Sequence, residues 1–385
     1  MKMLNAYTLE IDDFELAIAE IKEQLDLEHN MLAHAAGFIT CSYDYVEAGL
    51  IEAISDAMPF DIVGCTTLTN AVNDEGGGML LCLSVLTASD CRFASAASES
   101  LADDLDGAIA RMYDEAAGKL DGEPRLALAF FPMATSYGGE LILDALDRAA
   151  GGTPIFGTIA CDFDTAHYSH SCTFHNGLCT TDRASVLLIS GNVAPRFVVT
   201  STSEQNLHKQ QALITASEGS LLKEVNGMTA REYFHSLGLM RDGGIGGMSS
   251  VPFVVNYNDG TQPVARAIYS LCEDGSAVCG GRMPEGGTLS IGRMDVADIL
   301  LTADTSLQKL LRDKNEGGII LFPCLGRNMV LGMDPLLEVK KVREIIGDAL
   351  PWHLAYSGGE VCPVYGEDGN TANRFHNFTF IGCAI

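Results

Sequence analysis

The chain has 385 residues, of which 47% are hydrophobic and 19% charged, and this composition predicts a globular protein and excludes a disordered one. The length suits one large or two ordinary domains. Its formal net charge is −27, from 51 acidic and 24 basic residues. Because such a charge repels phosphate groups, nucleic acid and anionic membrane surfaces are not expected partners.

The cysteines and the N-terminus bear on the cellular compartment. Twelve cysteines stand singly, without a Cys-x-x-Cys pair, and the first ten residues contain no apolar leader. No apolar run approaches the length that a membrane span needs. We therefore expect a cytoplasmic protein with reduced thiols and no membrane insertion.

Helices and strands alternate along the first half. Val46, Leu50 and Ile54 recur at fourfold spacing and predict a helix over residues 43–58, which Pro59 ends. Patterns of apolar residues predict further elements in chain order: strands over 60–63, 79–87 and 92–97, a helix over 101–120, a strand over 126–131, a helix over 139–150 and a strand over 154–160.

Short stretches of the first half recur later in the chain. The sequence of residues 61–64 is similar to that of 154–157, and Phe174-His175-Asn176 recurs as Phe375-His376-Asn377. The helix and strand over 101–132 match those over 296–323. The repeat predicts an internally duplicated chain.

The duplication leads to a definite fold prediction. We expect a mixed α/β (α+β) protein whose helix-strand-hairpin units form mixed sheets with helices on the outer faces, arranged as two lobes. The predicted domains are residues 1–205 and 206–385, joined around 203–238, where Asn226-Gly227 suggests a hairpin. The glycine cluster over 241–250 is expected to be a mobile loop.

Residues 352–363 carry a charge at the end of an apolar strand. Leu354 and Tyr356 belong to the strand, Gly358-Gly359 breaks it, and Glu360 follows. A carboxylate in this position is either a solvated turn residue or a cleft residue that faces a ligand.

Two further strand ends carry candidate chemistry. Arg327 lies just after a buried strand and offers a fork for a carboxylate, or pairs with an acid at the surface. Cys324 is a possible nucleophile or a core thiol. Cys65, Thr66 and Thr67 form either a polar ligand site or a hydroxyl-stabilised turn.

A cluster of histidines and a run of glycines are candidates for metal and nucleotide sites. His167, His170, Cys172 and His175 suit zinc, copper or haem iron by type, but their spacing fits a polar hairpin better. The glycines over 243–247 follow no strand and match neither a dinucleotide nor a P-loop fingerprint. No kinase, Gly-x-Ser-x-Gly or His-Glu-x-x-His motif is present.

Several of these landmarks together resemble the FIST domain family. The resemblance covers about residues 38–381. Each matching motif is short, and the order and spacing of the motifs along the chain make the match to the family specific. The matching segments are Val63-Gly64-Cys65-Thr66-Thr67, residues 156–162, Phe174-His175-Asn176-Gly177, residues 218–233, Cys324-Leu325-Gly326-Arg327, Gly359-Glu360 and His376-Asn377-Phe378-Thr379.

The resemblance implies a cytoplasmic sensory module that binds small ligands such as amino acids. Relatives work with histidine kinases, chemoreceptors or cyclic-nucleotide enzymes, and some are haem proteins. Since this sequence shows no output domain, the expected partner is a separate signalling protein such as a histidine kinase or chemoreceptor.

We expect a small polar ligand, such as an amino acid, between the two halves. Arg327 would take its carboxylate and Glu360 its ammonium. The remaining expected ligand residues are Asn377, Cys324, Thr66, Thr67, Asp162, Cys65, Tyr356 and Thr379.

Two other function classes remain open. One is a haem-based gas sensor with His175 or His376 as axial ligand, although no cofactor is needed for the leading hypothesis. The other is an enzyme that uses Cys324 or Glu360, although the sequence favours a binding protein over a catalyst.

Overall fold

The computed structural model describes residues 1–133, 138–162, 169–240, 251–312, 317–367, 369 and 371–385. His167 and the glycine cluster over 241–250 lie outside the described residues, so the predictions made for them stay predictions.

Helices recur between strands along the whole chain. Within the described ranges they are α1 (Phe14–Leu25), α2 (Leu27–Asn30), α3 (Asp44–Ala48), α4 (Leu50–Ala57), α5 (Leu105–Lys119), α6 (Gly139–Ala150), α7 (Ala230–Ser236), α8 (Val296–Leu310), α9 (Leu325–Leu331) and α10 (Leu337–Ile346). The helix predicted over 43–58 is divided at Gly49, whose φ of 86° ends α3.

The strands of the first 200 residues are β1 (Lys2–Thr8), β2 (His34–Cys41), β3 (Ile62–Thr66), β4 (Asn70–Val72), β5 (Glu75–Gly77), β6 (Leu81–Ala88), β7 (Cys91–Ala97), β8 (Pro124–Phe131), β9 (Ile155–Ile159), β10 (Thr173–His175), β11 (Leu178–Thr180), β12 (Ser185–Gly191) and β13 (Arg196–Thr200). Those of the remainder are β14 (Ala212–Glu218), β15 (Leu221–Val225), β16 (Met228–Thr229), β17 (Phe253–Asn256), β18 (Val264–Arg266), β19 (Ile268–Leu271), β20 (Ala277–Cys279), β21 (Thr288–Ile291), β22 (Ile319–Pro323), β23 (Trp352–Ala355), β24 (Glu360–Tyr365), β25 (Thr371–His376) and β26 (Phe380–Ala384).

Three of the sheets share one strand order and one pattern of directions. Their orders are β1-β6-β2-β3-β10-β11, β7-β12-β8-β9-β24-β25 and β13-β26-β22-β23-β4-β5. In each, the two central strands are parallel and the remaining pairs are antiparallel. The three sheets are therefore topologically equivalent, although the sequence had suggested two related halves.

Each of these sheets ends in a hairpin supplied by another part of the chain. The hairpin β4-β5 follows β3 in sequence but pairs with β23, and β10-β11 follows β9 but pairs with β3. The hairpin β24-β25 follows β23 but pairs with β9. The exchange is cyclic, so strands from both predicted domains share two of the sheets.

The inner faces of the three sheets meet in one apolar core. Phe38 on β2, Phe130 on β8 and Phe322 on β22 lie in this core, and the ring centroids of Phe130 and Phe322 are 6.3 Å apart. The outer faces are covered by helices: α1 and α4, α5 and α6, and α8 and α10. The prediction of a mixed α/β fold with helices outside is confirmed.

A further sheet is inserted between β13 and α8. Its order is β18-β17-β21-β14-β15-β20-β19, with β16 beside β15. The Asn226-Gly227 turn predicted from sequence joins β15 to β16, and Asn226 adopts a φ of 53°. The inserted sheet has its own core and packs beside β25. The predicted domain boundary at residues 205/206 stays a prediction.

Candidate functional site

The carboxyl ends of β3, β9 and β23 converge at one place in the molecule. The backbone N–H of Cys161 donates to the Thr66 carbonyl oxygen at 3.0 Å, and that of Gly358 donates to Ile159 at 3.0 Å. The N–H of Tyr356 donates to the Thr69 carbonyl oxygen at 3.0 Å. The cyclic strand arrangement thus brings together most of the segments that the sequence had singled out.

Glu360 lies at this convergence and is completely buried. It is the first residue of β24 and faces Thr158 on β9 and His376 on β25. Its Oε2 accepts hydrogen bonds from the Thr379 hydroxyl at 2.6 Å and the Thr379 N–H at 3.2 Å. Its Oε1 has no hydrogen-bond partner among the described residues.

Burial raises the pKa of Glu360 to about 8, against the lowering effect of the hydrogen bonds from Thr379. At neutral pH the carboxyl group is therefore mostly protonated. A neutral acid does not provide the negative charge that an ammonium group needs, so Glu360 is poorly suited to the role expected for it.

Cys324 lies beside Glu360, where burial raises the pKa of its thiol well above the usual value. The charged form of Glu360 opposes the thiolate further. A nucleophilic cysteine requires a stabilised thiolate, and this environment provides the opposite. The geometry gives no support to a reaction that begins at Cys324.

The guanidinium of Arg327 is also completely buried, with a protein partner in the position expected for a ligand. Its Nη2 lies 2.5 Å from Glu338 Oε1 and donates to the Thr302 hydroxyl at 3.0 Å. Tyr356 donates its hydroxyl proton to Glu338 Oε2 at 2.9 Å. Arg327 therefore belongs to an internal ion pair and is unavailable to a ligand carboxylate without breaking that pair.

The threonines after β3 form a hydrogen-bonded turn. The Thr66 hydroxyl accepts from the N–H of Cys172 at 2.9 Å, and the Thr67 hydroxyl donates to the side chain of Asn70. Cys65 lies in the central core. These contacts fit the turn interpretation of this stretch.

Asp162 and Asn377 likewise bind the protein backbone. Asp162 Oδ2 accepts from the N–H of His170 at 2.7 Å, and its Oδ1 has no partner among the described residues. Asn377 Oδ1 accepts from the N–H of Ala267 at 3.1 Å. Asn377 thus joins the inserted sheet to the body, by which we mean the three equivalent sheets and their helices.

A cavity of about 390 Å³ opens at the carboxyl ends of β8 and β9, between the body and the inserted sheet. Its wall combines apolar side chains, charged groups and backbone exposed at glycines. The lining residues are Pro132, Met133, Gly138, Gly139, Glu140, Leu141, Ile159, Glu218, Gly219, Ser220, Tyr269, Cys279, Gly280, Gly281, Arg282, Gly358 and Phe375.

Glu140 lines this cavity and makes two contacts with the inserted sheet. Its Oε1 accepts from Arg266 Nη2 at 3.1 Å, and its Oε2 accepts from the backbone N–H of Arg282. Arg266 is completely buried and also donates to the Phe375 carbonyl oxygen at 2.6 Å. The Arg266–Glu140 pair thus fixes the inserted sheet against α6.

Comparison with known families identifies both parts of the chain. The family model of the FIST N domain matches residues 35–228, and that of the FIST C domain matches residues 221–363. The chain belongs to the FIST family. FIST domains generally act as small-ligand sensory domains in signalling proteins.

Other comparisons add little to the FIST assignment. No curated protein matches this chain. Among solved structures, a cyanuric acid hydrolase described as an evolutionary innovation by structural concatenation aligns with 11% identity and a TM-score of 0.25. The alignment covers 76% of this chain and 99% of the other.

The cavity lies between the two FIST matches. Of its lining residues, 132–133, 138–141 and 218–220 fall in the FIST N match, while Tyr269 and residues 279–282 fall in the FIST C match. Glu140, Arg266 and Arg282 were not predicted from sequence. The signal available was the Gly138-Gly139-Glu140 stretch just after the predicted strand over 126–131, where ligands of α/β proteins often bind.

The histidines considered for haem in this FIST protein already have hydrogen-bond partners. His376 is completely buried, and its Nε2 lies 3.1 Å from the Cys362 carbonyl oxygen. His175 Nε2 lies 3.0 Å from the Ser95 hydroxyl. The other ring nitrogen of His376, Nδ1, is buried and has no hydrogen-bond partner among the described residues.

The described residues contain no group of three or more His, Cys, Asp or Glu side chains that could hold a metal ion. Within those residues, no helix has the length and hydropathy that crossing a bilayer requires.

Proposed function

We propose that this chain is a sensory protein that binds a small polar molecule, such as an amino acid, in the cavity between its FIST N and FIST C parts. The observation that carries the proposal is the cavity itself. Its volume of about 390 Å³ lies within the range of small-molecule sites.

The cavity wall suits a small molecule with both polar and apolar parts. Met133, Ile159 and Phe375 provide an apolar surface, whereas Glu140 and Arg282 provide charge. At Gly139 and Gly358 an added Cβ would overlap Ile159 and Met133, so the close packing of the cavity wall depends on glycine at both positions.

Ligand binding would stabilise the arrangement in which the inserted sheet rests on the body. A ligand in this position contacts both the body and the inserted sheet. It therefore binds more tightly when the two are in contact, and it stabilises that arrangement. The resulting surface would be recognised by a separate cytoplasmic signalling protein, such as a histidine kinase or a chemoreceptor.

The experiment is to purify the full chain, identify any co-purified small molecule by native mass spectrometry, and screen amino acids by calorimetry. Ser220→Trp places an indole in the cavity and should abolish binding. Gln308→Trp, on the exposed face of α8, is the matched control and should bind as wild type does. A ligand that both variants retain would place the binding site elsewhere.

A further inference from the structure

Arg282 is the one cation among the described residues that line the cavity. Its backbone is fixed on both sides. The N–H donates to Glu140, and the carbonyl oxygen accepts from the Tyr257 hydroxyl at 2.9 Å and from Arg266 Nε at 3.2 Å. The residue is therefore held at the edge of the cavity by an already folded interface.

The Arg282 side chain retains donors for a ligand. Its Nη2 pairs with Asp144, while 48% of the side chain stays exposed. A guanidinium has five N–H donors, and an ion pair at this exposure holds its partner weakly. The remaining donors can form the paired hydrogen bonds that a carboxylate favours.

The acidic groups near the cavity are less suited to a ligand's ammonium group. Both oxygens of Glu140 already accept hydrogen bonds from the inserted sheet. The side chain of Glu218 is 77% exposed and lies 2.7 Å from Lys223 Nζ. Neither carboxylate combines burial with an unused oxygen.

We infer that Arg282 determines the specificity of this cavity by binding a carboxylate of the ligand, and that an amino group on the ligand is not required. The ligand class is then a monocarboxylate whose apolar part packs against Met133, Ile159 and Phe375. The inference rests on the proposed function, because it concerns the same cavity.

Three matched compounds test the inference with the full chain by calorimetry. They are L-leucine, 4-methylpentanoate, which lacks the amino group, and L-leucinamide, which lacks the carboxylate. Leucine and 4-methylpentanoate should bind with affinities within about tenfold of each other, and leucinamide at least about tenfold more weakly. Equal binding of leucinamide, or binding of leucine alone, would overturn the inference.

Substitutions of Arg282 test whether this residue binds the carboxylate of the ligand. Arg282→Gln should weaken both carboxylates at least about tenfold and remove the preference over leucinamide. Arg282→Lys keeps the charge without the planar fork and should give an intermediate affinity. Arg374→Gln is the control, since Arg374 bridges the same interface through Asp259 but does not line the cavity.

Two results separate this inference from the proposed function. If Arg282→Gln binds the carboxylates as well as wild type does, Arg282 is not the specificity residue, although the cavity still binds a ligand. If none of the three compounds binds to wild type, the inferred ligand class is wrong. The cavity itself is judged independently, by the co-purified compound and Ser220→Trp.

Discussion

At the scale of single residues, burial changes the meaning of the charges that the sequence displays. Arg327 and Glu360 look alike in sequence, as charges at the ends of apolar strands. In the structure Arg327 has a partner, Glu338, whereas Glu360 has none for its Oε1 among the described residues. Arg327 is therefore a paired ion, and Glu360 is a largely neutral acid.

The pKa of Glu360 leads to a prediction about stability. Since burial raises it from 4.5 to about 8, the folded state binds a proton that the unfolded state releases between these values. Burial lowers the pKa of His353 and His376 to about 3, so these two residues add stability as the pH rises, whereas Glu360 by itself should subtract roughly 3–5 kcal/mol as the pH rises from 4.5 to 8. Glu360→Gln should remove this loss in urea unfolding experiments at several pH values.

Glu123→Gln is the control for this titration, because the side chain of Glu123 is exposed. It should leave the pH dependence as in wild type. If the stabilities of Glu360→Gln and wild type change in parallel between pH 4.5 and 8, Glu360 is ionised in the folded protein and its assigned state is wrong.

At the scale of elements, close contact between parallel strands depends on glycine. Gly64 on β3 and Gly157 on β9 occupy equivalent places, and an added Cβ would overlap the carbonyl oxygens of Ile39 and Ala129. The sequence showed these glycines in its repeated stretches, yet it gave no indication of which strand lay against them.

Gly157→Ala should force β8 and β9 apart and destabilise the protein by about 1–3 kcal/mol or more. Gly118→Ala in α5 is the matched control, because nothing lies within 4 Å of its added Cβ. Alanine is the better helix former, so this variant should gain up to about 1 kcal/mol. Urea unfolding curves measure both, and equal effects would contradict the close approach of β9 to β8.

At the scale of the whole molecule, the cyclic exchange of hairpins joins the two predicted domains. Residues 1–205 supply β4-β5 to the sheet that contains β22, β23 and β26. In return, β24-β25 completes the sheet built on β8 and β9. Each half therefore lacks strands of the two sheets that both halves share.

A fragment of residues 1–205 should therefore unfold without a cooperative transition when it is produced alone. Co-expression with residues 206–385 should restore a single cooperative unfolding transition, measured by circular dichroism, because the exchanged hairpins again have partners. A cooperative transition of the isolated fragment would show that the exchange is not required for folding.

Local sequence patterns were enough to predict the helices, the strands and the family. Apolar periodicity and glycine turns specify helices and strands such as α5 and β8, because these signals act between residues close in the chain. The same patterns gave the mixed α/β class and the helices on the outer faces.

Only the tertiary structure decided which strands pair across long distances and which charges meet. Ala71 pairs with Leu354, and Glu140 meets Arg266, although no local pattern connects either pair. The cavity has the same origin, since its walls come from distant segments that meet where the inserted sheet packs against the rest of the protein. Partner choice of this kind depends on packing and desolvation, which the order of residues does not display.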